Sequence, residues 1–219
     1  MISKKITGIK ISDYLKQEYY QTVNKFIKGK NVLDVGCVDE KLTRINKNRL
    51  WNHWFIYKQA SSVVGIDIEY SEINKLKSMG FDVITMSAEE IYFKKKFDTV
   101  FAGELIEHLP NPGLFLQKAK NALKKKGVIV LSTPNTYAIN KIIRVIQYRT
   151  NNPPENPDHT MYFTPENIKT LADKCGLKVI KIDYSHFPFT EDSLLIKLNK
   201  IACRVFGEKF KEQLIAVLK

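Results

Sequence analysis

Short apolar runs rich in β-branched residues recur along the chain, separated by segments of helical pattern. The runs cover residues 31–36, 62–67, 81–86, 97–102, 127–132, 177–184 and 212–219. This alternation is typical of βαβ units, in which helices join parallel strands. It therefore predicts a doubly wound α/β fold, with helices on both faces of a mostly parallel sheet.

Length and composition fit a single globular domain over residues 1–219. Of the 219 residues, 44% are hydrophobic and 26% are charged, which is ordinary for a chain that buries a core. The pattern of residues 11–28 indicates a leading helix. Residues 149–159, rich in proline and asparagine, follow an amphipathic stretch after the fifth run. Together they indicate an insertion over about 135–160, which we expect to lie as a lid over the carboxyl ends of the strands.

Cysteine content and charge bear on where the chain works. Cys37, Cys175 and Cys203 are far apart in sequence, which favours reduced thiols over a disulfide framework. The N-terminus lacks an apolar targeting segment, and no run approaches the roughly 18 apolar residues of a membrane span. We therefore expect a cytoplasmic protein. The formal charge of +12 comes mostly from scattered lysines. This favours a solvated surface over a nucleic-acid face, which usually adds arginine clusters and aromatic platforms.

The C-terminal segment 194–210 alternates apolar and basic residues at helical spacing. Its residues Lys197, Lys200 and Arg204 suit contact with an anionic membrane surface, which would accompany a lipid-linked acceptor. A stripe of this kind more often packs on the domain itself. The sequence leaves both alternatives open.

Two predicted strands end in residues suited to an adenosine-type ligand. The first ends at Gly36, where glycine lets the backbone approach a ligand closely. The second ends at Asp67, whose carboxylate is placed to accept hydrogen bonds from both hydroxyls of a ribose. The alternative is that Asp34 and Asp67 merely cap strand ends. The βαβ context favours the adenosine cofactor.

The fourth predicted strand is followed at once by Glu104, Glu107 and His108. On a helix, positions i, i+3 and i+4 share one face, so these side chains would converge on a small patch. Such a patch is either a solvated helix face or a metal site. Spacing alone does not distinguish the two.

The motifs resemble those of the class I S-adenosylmethionine-dependent methyltransferases. The resemblance begins near residue 31 and continues to the C-terminus. It rests on VLDVGC (32–37), VVGIDI (63–68), SAEEI (87–91), FDTVFAGELIEHLPNP (97–112) and LKKKGVIVLSTPN (123–135). It implies a Rossmann-like, seven-stranded sheet whose last strand, at 212–219, runs antiparallel. It also implies an enzyme that uses S-adenosylmethionine as methyl donor.

The same resemblance implies a set of cofactor contacts. Asp34 and Gly36 would line the methionine end, and Asp67 would bind the ribose. The other expected contacts are Ile68 against the adenine, Ser87, Ala88 and Glu89 at its polar edge, and Gly103 after the fourth strand. Where the family usually has further glycines, this chain has Val38 and Glu40, which make the loop bulkier and add charge near the cofactor.

Residues 103–112 are most similar to branches of the family with a Glu-x-x-Glu-His motif. Those branches include small-RNA 3′-terminal 2′-O-methyltransferases, quinone-pathway catechol O-methyltransferases and many enzymes thought to act on glycans. The resemblance implies a divalent ion, Mg²⁺, Mn²⁺ or Zn²⁺, held by Glu104, Glu107, His108 and His159 of the lid. Glu107, His108 and His159 are also the predicted catalytic residues.

An ion at this site would have a chemical purpose. A sugar or ribose hydroxyl is a poor nucleophile at neutral pH, and a dication would lower its pKa and anchor it. We therefore expect metal-assisted O-methylation of a vicinal diol, on a small molecule or on the glycan of a surface polysaccharide or lipid. The 3′-terminal ribose of RNA and a quinone-pathway catechol are alternatives within this class. A non-catalytic cofactor-fold binding module is the alternative outside it.

Aromatic residues and two further histidines complete the predictions. We expect four aromatic side chains to pack a helix onto the sheet: Trp51, Trp54, Phe55 and Tyr57. In that arrangement His53 is structural or exposed. His186 follows the sixth strand, where it is either a base facing the substrate or, as we favour, a partly buried structural residue.

Overall fold

Seven strands form one sheet in the part of the chain that the structure describes. The computed structural model describes residues 10–38, 50–141, 146, 156–187 and 194–219. The strands are β1 (Asn31–Val35), β2 (Ser62–Asp67), β3 (Val83–Thr85), β4 (Phe97–Gly103), β5 (Leu123–Pro134), β6 (Val179–Ser185) and β7 (Gln213–Leu218). Their order is β3-β2-β1-β4-β5-β7-β6. The first five pair in parallel, and β7 runs antiparallel between β5 and β6. The predicted sheet and its antiparallel last strand are confirmed.

Helices cover both faces of this sheet. They are α1 (Ile11–Tyr14), α2 (Glu18–Ile27), α3 (Asn52–Gln59), α4 (Tyr70–Ser78), α5 (Pro112–Ala122), α6 (Pro165–Lys174) and α7 (Leu194–Phe206). Successive strand residues point to opposite faces, so Leu33 joins a core cluster with Phe115 of α5, whereas Val32 joins a second cluster with Phe55 of α3. No helix in these described ranges has the length and apolar character that crossing a membrane requires.

The leading segment forms two helices instead of the single helix predicted over 11–28. Between α1 and α2, Gln17 has an extended backbone conformation. The break turns the Tyr14 ring into the core, where it stacks on Phe55 with ring centroids 5.3 Å apart. The Tyr14 hydroxyl also accepts a hydrogen bond from the Trp51 backbone N–H, at 3.2 Å. Packing against α3 therefore overrides a continuous leading helix.

The aromatic stretch packs as predicted. Trp51, Trp54 and Phe55 are buried, and Tyr57 meets Phe81 edge-on with ring centroids 5.2 Å apart. The Trp51 indole Nε1–H also donates to the Cys37 carbonyl oxygen, at 2.8 Å. Helix α3 is thereby fastened to the loop that follows β1.

Candidate active site

A cavity of about 580 Å³ opens at the carboxyl ends of the parallel strands. This volume is in the usual range for a small-molecule site. Its walls come from the carboxyl ends of β1, β2, β4 and β5 and the residues that follow β1 and β4, from α2, from the start of α3, from the described end of the lid and from the amino end of β7. They include Tyr19, Tyr20, Gly36, Val38, Trp51, Asn52, Asp67, Gly103, Glu104, Glu107, His108, Pro134, His159, Phe187 and Gln213. The predicted lid contributes through its described end, whereas residues 142–145 and 147–155 lie outside the described residues.

Two of the predicted cofactor residues, Gly36 and Gly103, line this cavity at positions where a side chain would strain the backbone or crowd its neighbours. Gly36 has a left-handed φ of 75°, and a Cβ atom there would lie 3.1 Å from Leu105 Cδ1. A Cβ atom on Gly103 would lie 2.8 Å from both Asn52 Nδ2 and Phe101 Cζ. At both positions, glycine lets the backbone itself form the cavity wall.

Asp67, the predicted ribose-binding acid, lies on the cavity wall at the end of β2. Its Oδ2 accepts a hydrogen bond from the Val38 N–H at 3.0 Å, and its Oδ1 accepts one from the Glu69 N–H at 3.1 Å. Burial raises the pKa of Asp67, and these backbone donors oppose that shift. Val38 therefore helps to position the carboxylate even though it replaces a glycine of the family pattern. Glu40 lies outside the described residues.

Asp34 does not line the cavity, which corrects the prediction for this residue. It is 1% exposed, and its Oδ2 lies 2.7 Å from Nδ1 of the fully buried His53. The alternation of side chains along β1 explains the placement. Asp34 is two residues from Val32 and therefore points to the same face of the sheet, toward α3. Asp34 thus holds α3 against the sheet behind the cavity. His53 is therefore structural, which is one of the two alternatives that the sequence predicted.

The other predicted cofactor residues lie at neighbouring strand ends and do not line the cavity. Ile68 is 68% exposed directly after β2, and Ala88 is buried. The Ser87 hydroxyl accepts a hydrogen bond from the Glu89 N–H, and Glu89 Oε1 accepts one from the Asn111 N–H at 2.7 Å. Glu89 therefore connects this turn to the start of α5. Contacts of these residues with an adenine stay predictions.

Glu104, Glu107 and His108 do not share an α-helix face. Glu104 has a left-handed φ of 52°, and the helical turn that follows is a 3₁₀ turn limited to Ile106–His108. Glu104 Oε1 accepts a hydrogen bond from Gln213 Nε2 at 2.9 Å. Its backbone N–H donates to the Ser132 carbonyl oxygen at 3.0 Å. The carboxylate is thus turned toward β7, and the helical spacing argument does not apply to it.

Sequence reasoning missed Gln213. It lies opposite both Pro134 and Ser185 in the sheet register, and its Oε1 accepts a hydrogen bond from the Ser185 hydroxyl at 3.0 Å. This bond orients the amide so that Nε2 faces Glu104. The partner of Glu104 is therefore set by the pairing of β7, which no local motif reveals.

Glu107, His108 and His159 lie together on the cavity wall. A carboxylate oxygen and one imidazole nitrogen from each histidine lie within 4.8 Å of one another. The two imidazole rings are nearly perpendicular, with centroids 4.7 Å apart. Glu107 is 1% exposed, and neither of its carboxylate oxygens has a hydrogen-bond partner among the described residues. The structure thus brings together three of the four predicted metal ligands, without Glu104.

The end of the lid is fixed to the turn that carries Glu107. The Thr160 N–H donates to the Glu107 carbonyl oxygen at 2.8 Å. The Thr160 hydroxyl donates to the same oxygen at 3.0 Å and to the Leu109 carbonyl oxygen at 3.1 Å. His159, the residue before Thr160, is thereby held next to His108.

The hydrogen bond of His108 defines its tautomer. His108 Nδ1 lies 3.1 Å from the Asp158 carbonyl oxygen. Because a carbonyl oxygen only accepts, Nδ1 carries the hydrogen. The neutral ring then presents the lone pair of Nε2, which is the arrangement that orients histidine ligands in metal sites.

Burial makes ionisation of the two glutamates costly. It raises the pKa of Glu104 to about 7 and that of Glu107 to about 8, from an ordinary value of 4.5. The negative charge of Glu104 contributes to the raised pKa of Glu107, and the positive charge of Lys141 limits the rise in both pKa values. A cation bound beside Glu107 would therefore offset an electrostatic penalty that the fold itself creates.

His186 is not in the cavity wall. Its Nδ1 lies 2.6 Å from Glu212 Oε2, and its side chain is 23% exposed. His186 is therefore placed as a partly buried structural residue, which is the alternative that the sequence favoured. The next residue, Phe187, lines the cavity instead.

Comparison with known proteins gives the class of the chain. A family model described as "Methyltransferase domain" matches residues 10–182, and the chain belongs to this methyltransferase family. The ubiquinone biosynthesis O-methyltransferase of Colwellia psychrerythraea is 25% identical over 197 residues, covering 78% of this chain and 72% of the relative. The enzyme of the same name from Haemophilus ducreyi is 28% identical over 202 residues, covering 86% and 82%.

The fold has close counterparts among solved structures. A SAM-dependent methyltransferase from Archaeoglobus fulgidus superposes with a TM-score of 0.62 at 19% identity, covering 94% of each chain. At this identity the likeness shows the fold alone. Together with the family match, this fold defines the chain as a class I S-adenosylmethionine-dependent methyltransferase.

Proposed function

We propose that this chain transfers the methyl group of S-adenosylmethionine to one hydroxyl of a vicinal diol, with a catechol as the acceptor. One observation carries the proposal: Glu107, His108 and His159 converge within 4.8 Å on the wall of the cavity that also holds Asp67. The relatives named as ubiquinone biosynthesis O-methyltransferases support oxygen as the acceptor atom. They also favour the quinone-pathway alternative over the glycan that we expected from the sequence.

The cavity wall suits an aromatic acceptor. Its lining includes Phe187, which is partly exposed, and Tyr19, Tyr20 and Trp51, which are almost fully buried. The ring of Phe187 therefore offers an apolar surface for an aromatic acceptor to pack against. Glu107, His108 and His159 line the same cavity and would then face the hydroxyl groups of that ring.

The residues on the β1 and β2 side fit S-adenosylmethionine. Asp67 would accept hydrogen bonds from the ribose hydroxyls, since its carboxylate is held by two backbone N–H groups and still has free lone pairs. Gly36 and Gly103 leave the backbone open where a side chain would intrude. When bound, the cofactor supplies a methyl group activated on a sulfonium.

Glu107, His108 and His159 fit a divalent ion, Mg²⁺, Mn²⁺ or Zn²⁺. The carboxylate oxygens of Glu107 are buried without a hydrogen-bond partner in the described part of the chain, and Nε2 of His108 presents its lone pair. An ion there would supply a positive charge that lowers the pKa of an acceptor hydroxyl. Three protein ligands leave room for oxygen atoms of the acceptor.

In the reaction one C–O bond forms and the C–S bond of the sulfonium breaks. The hydroxyl proton leaves to water at the open mouth of the cavity, and the thioether departs neutral without an acid. The contribution of this chain is to hold both reactants in one orientation, which is worth several kcal/mol when the reacting atoms are aligned. The Thr160 contacts serve this purpose by fixing His159 over the acceptor side of the cavity.

The test is methyl transfer from labelled S-adenosylmethionine to a simple catechol, a short RNA and a glycan. We expect the catechol to be methylated, activity to fall on chelation, and a divalent ion to restore it. Glu107→Gln should lower kcat/KM on the order of 100-fold, as losses of metal-site groups do. Glu90→Gln is a matched control, because Glu90 is exposed on a neighbouring turn outside the cavity wall.

The other outcomes separate parts of the proposal. Methylation of the glycan or the RNA but not the catechol would overturn the acceptor. Full activity after chelation, or in Glu107→Gln, would overturn the metal while leaving the methyltransferase intact. If titration calorimetry finds no affinity for S-adenosylmethionine, the chain is a non-catalytic binding module.

A further inference from the structure

The C-terminal part of α7 exposes apolar side chains to solvent. Ile201, Val205 and Phe206 are 56%, 68% and 63% exposed. Ile201 and Val205 are one helical turn apart and so lie on the same face. Cys203 is buried on another face of the helix, which anchors it to the protein. One side of α7 is therefore packed while the opposite side is apolar and open.

Basic side chains border this apolar face. Lys200 and Arg204 are both exposed and one turn apart. Past the end of the helix, the Lys209 ammonium lies 5.3 Å from the centroid of the Phe210 ring, and that ring lies 6.3 Å from the ring of Phe206. The side chain of Lys197, which the sequence also placed on this stripe, lies outside the described residues.

The turn after α7 is fastened beside the mouth of the cavity. The buried Asn135 side chain donates through Nδ2 to the carbonyl oxygens of Lys209, at 2.8 Å, and Lys211, at 2.7 Å. Pro134, the residue before Asn135, and Gln213 both line the cavity. The C-terminal end of α7 and the cavity therefore lie at the same edge of the sheet.

We propose that this surface binds an anionic lipid bilayer. The lipid-facing surface consists of Lys200, Ile201, Arg204, Val205, Phe206 and Lys209. An apolar helix face bordered by lysine and arginine is the pattern of helices that lie in the interface plane, with apolar side chains at the acyl boundary and cations among anionic headgroups. The charges select a lipid surface over a neutral apolar partner.

Binding in this way would hold the cavity mouth close to the membrane. An amphiphilic acceptor would then reach the cavity without first leaving the bilayer for water. The inference goes beyond the proposed function and does not depend on it, because attachment to lipid requires no methyl transfer. Failure of one is thus distinguishable from failure of the other.

Co-sedimentation of the full chain with vesicles tests the proposal. We expect binding to vesicles of phosphatidylcholine with phosphatidylglycerol, weak binding to phosphatidylcholine alone, and a decrease as salt rises. The double variant Ile201→Gln/Val205→Gln should weaken binding roughly tenfold or more, because it removes the apolar anchors. Lys200→Gln/Arg204→Gln should weaken it about fivefold for each charge removed.

Two control variants remove similar groups elsewhere. Ile180 is 53% exposed on the edge strand β6, so Ile180→Gln removes an exposed apolar side chain outside the lipid-facing surface. Lys125 and Lys126 are exposed near the amino end of β5, at the opposite edge of the sheet, so Lys125→Gln/Lys126→Gln removes the same charge. Both controls should bind vesicles as the original chain does. All the substituted side chains are exposed, so melting temperatures should agree and show that folding is preserved.

Three results would overturn the proposal. The first is no binding to anionic vesicles, or equal binding to vesicles of phosphatidylcholine alone. The second is a loss in the control variants equal to that in the α7 variants. The third is a dimer in sedimentation velocity that Ile201→Gln/Val205→Gln dissociates, without vesicle binding, since this would assign the face to a second copy of the chain.

Discussion

Thr160 is the residue through which we expect the lid to control the proposed metal site. Its hydroxyl donates to the carbonyl oxygens of Glu107 and Leu109, at 3.0 and 3.1 Å. Thr160→Val keeps the shape of the side chain and removes that donor. A neutral hydrogen bond of this kind contributes about 1 kcal/mol, so the melting temperature should fall by roughly 2–4 °C for a domain of this size. Loosening of His159 should also weaken Mn²⁺ binding on the order of tenfold.

The assay combines thermal unfolding with Mn²⁺ titration of the same preparations. Thr170→Val is a matched control, because the Thr170 hydroxyl donates to the Glu166 carbonyl oxygen at 3.0 Å on the exposed side of α6. The control should leave Mn²⁺ affinity unchanged. If Thr160→Val lowers stability while its Mn²⁺ affinity stays within twofold of the original, Thr160 stabilises the fold without organising the site.

Three further outcomes are expected. In the folded protein Glu104 and Glu107 keep their protons above the ordinary pKa of 4.5. With chelator present, the stability that these protons give the fold is complete below about pH 4.5 and is lost as the pH rises through about 7–8. Denaturant titrations should show that the free energy of unfolding declines by at least about 1 kcal/mol from pH 5.5 to 8, and by less in Glu107→Gln. A free energy of unfolding that does not change with pH would show that burial does not raise the pKa of these glutamates. Gly103→Ala should lower the free energy of unfolding by about 1–3 kcal/mol and weaken S-adenosylhomocysteine binding, because its Cβ would displace Asn52. An unchanged affinity in titration calorimetry would refute this. Burial raises the pKa of the Cys37 thiol, so iodoacetamide should modify it slowly at pH 8 unless the protein is denatured. Rapid modification of Cys37 in the folded protein would show that this part of the core is open to solvent.

The fold was predictable because its determinants are local. Each strand is a short β-branched run, and the helices between strands leave few topologies once right-handed crossovers are assumed. The leading segment was not predictable in the same way. Its break at Gln17 depends on Tyr14 packing against Phe55, a contact between residues far apart in sequence.

The candidate site was predictable where the backbone alone determines it. Gly36 directly follows β1, and Asp67 and Gly103 are the last residues of β2 and β4, so their position at the carboxyl edge comes from the topology. Asp34 was misplaced, although the two-residue alternation of β1 carries the signal that it faces α3. Glu104 departs from the motif because its own backbone is left-handed and it lies before the helical turn that begins at Ile106. No spacing rule predicts such a residue.

Mn²⁺ binding to the full chain tests the central claim most directly. We expect one ion per chain, a loss of binding in Glu107→Gln, and a smaller loss in Glu104→Gln, whose carboxylate is engaged with Gln213. Mn²⁺ binding to Glu107→Gln as tight as to the original chain would contradict a metal site at Glu107.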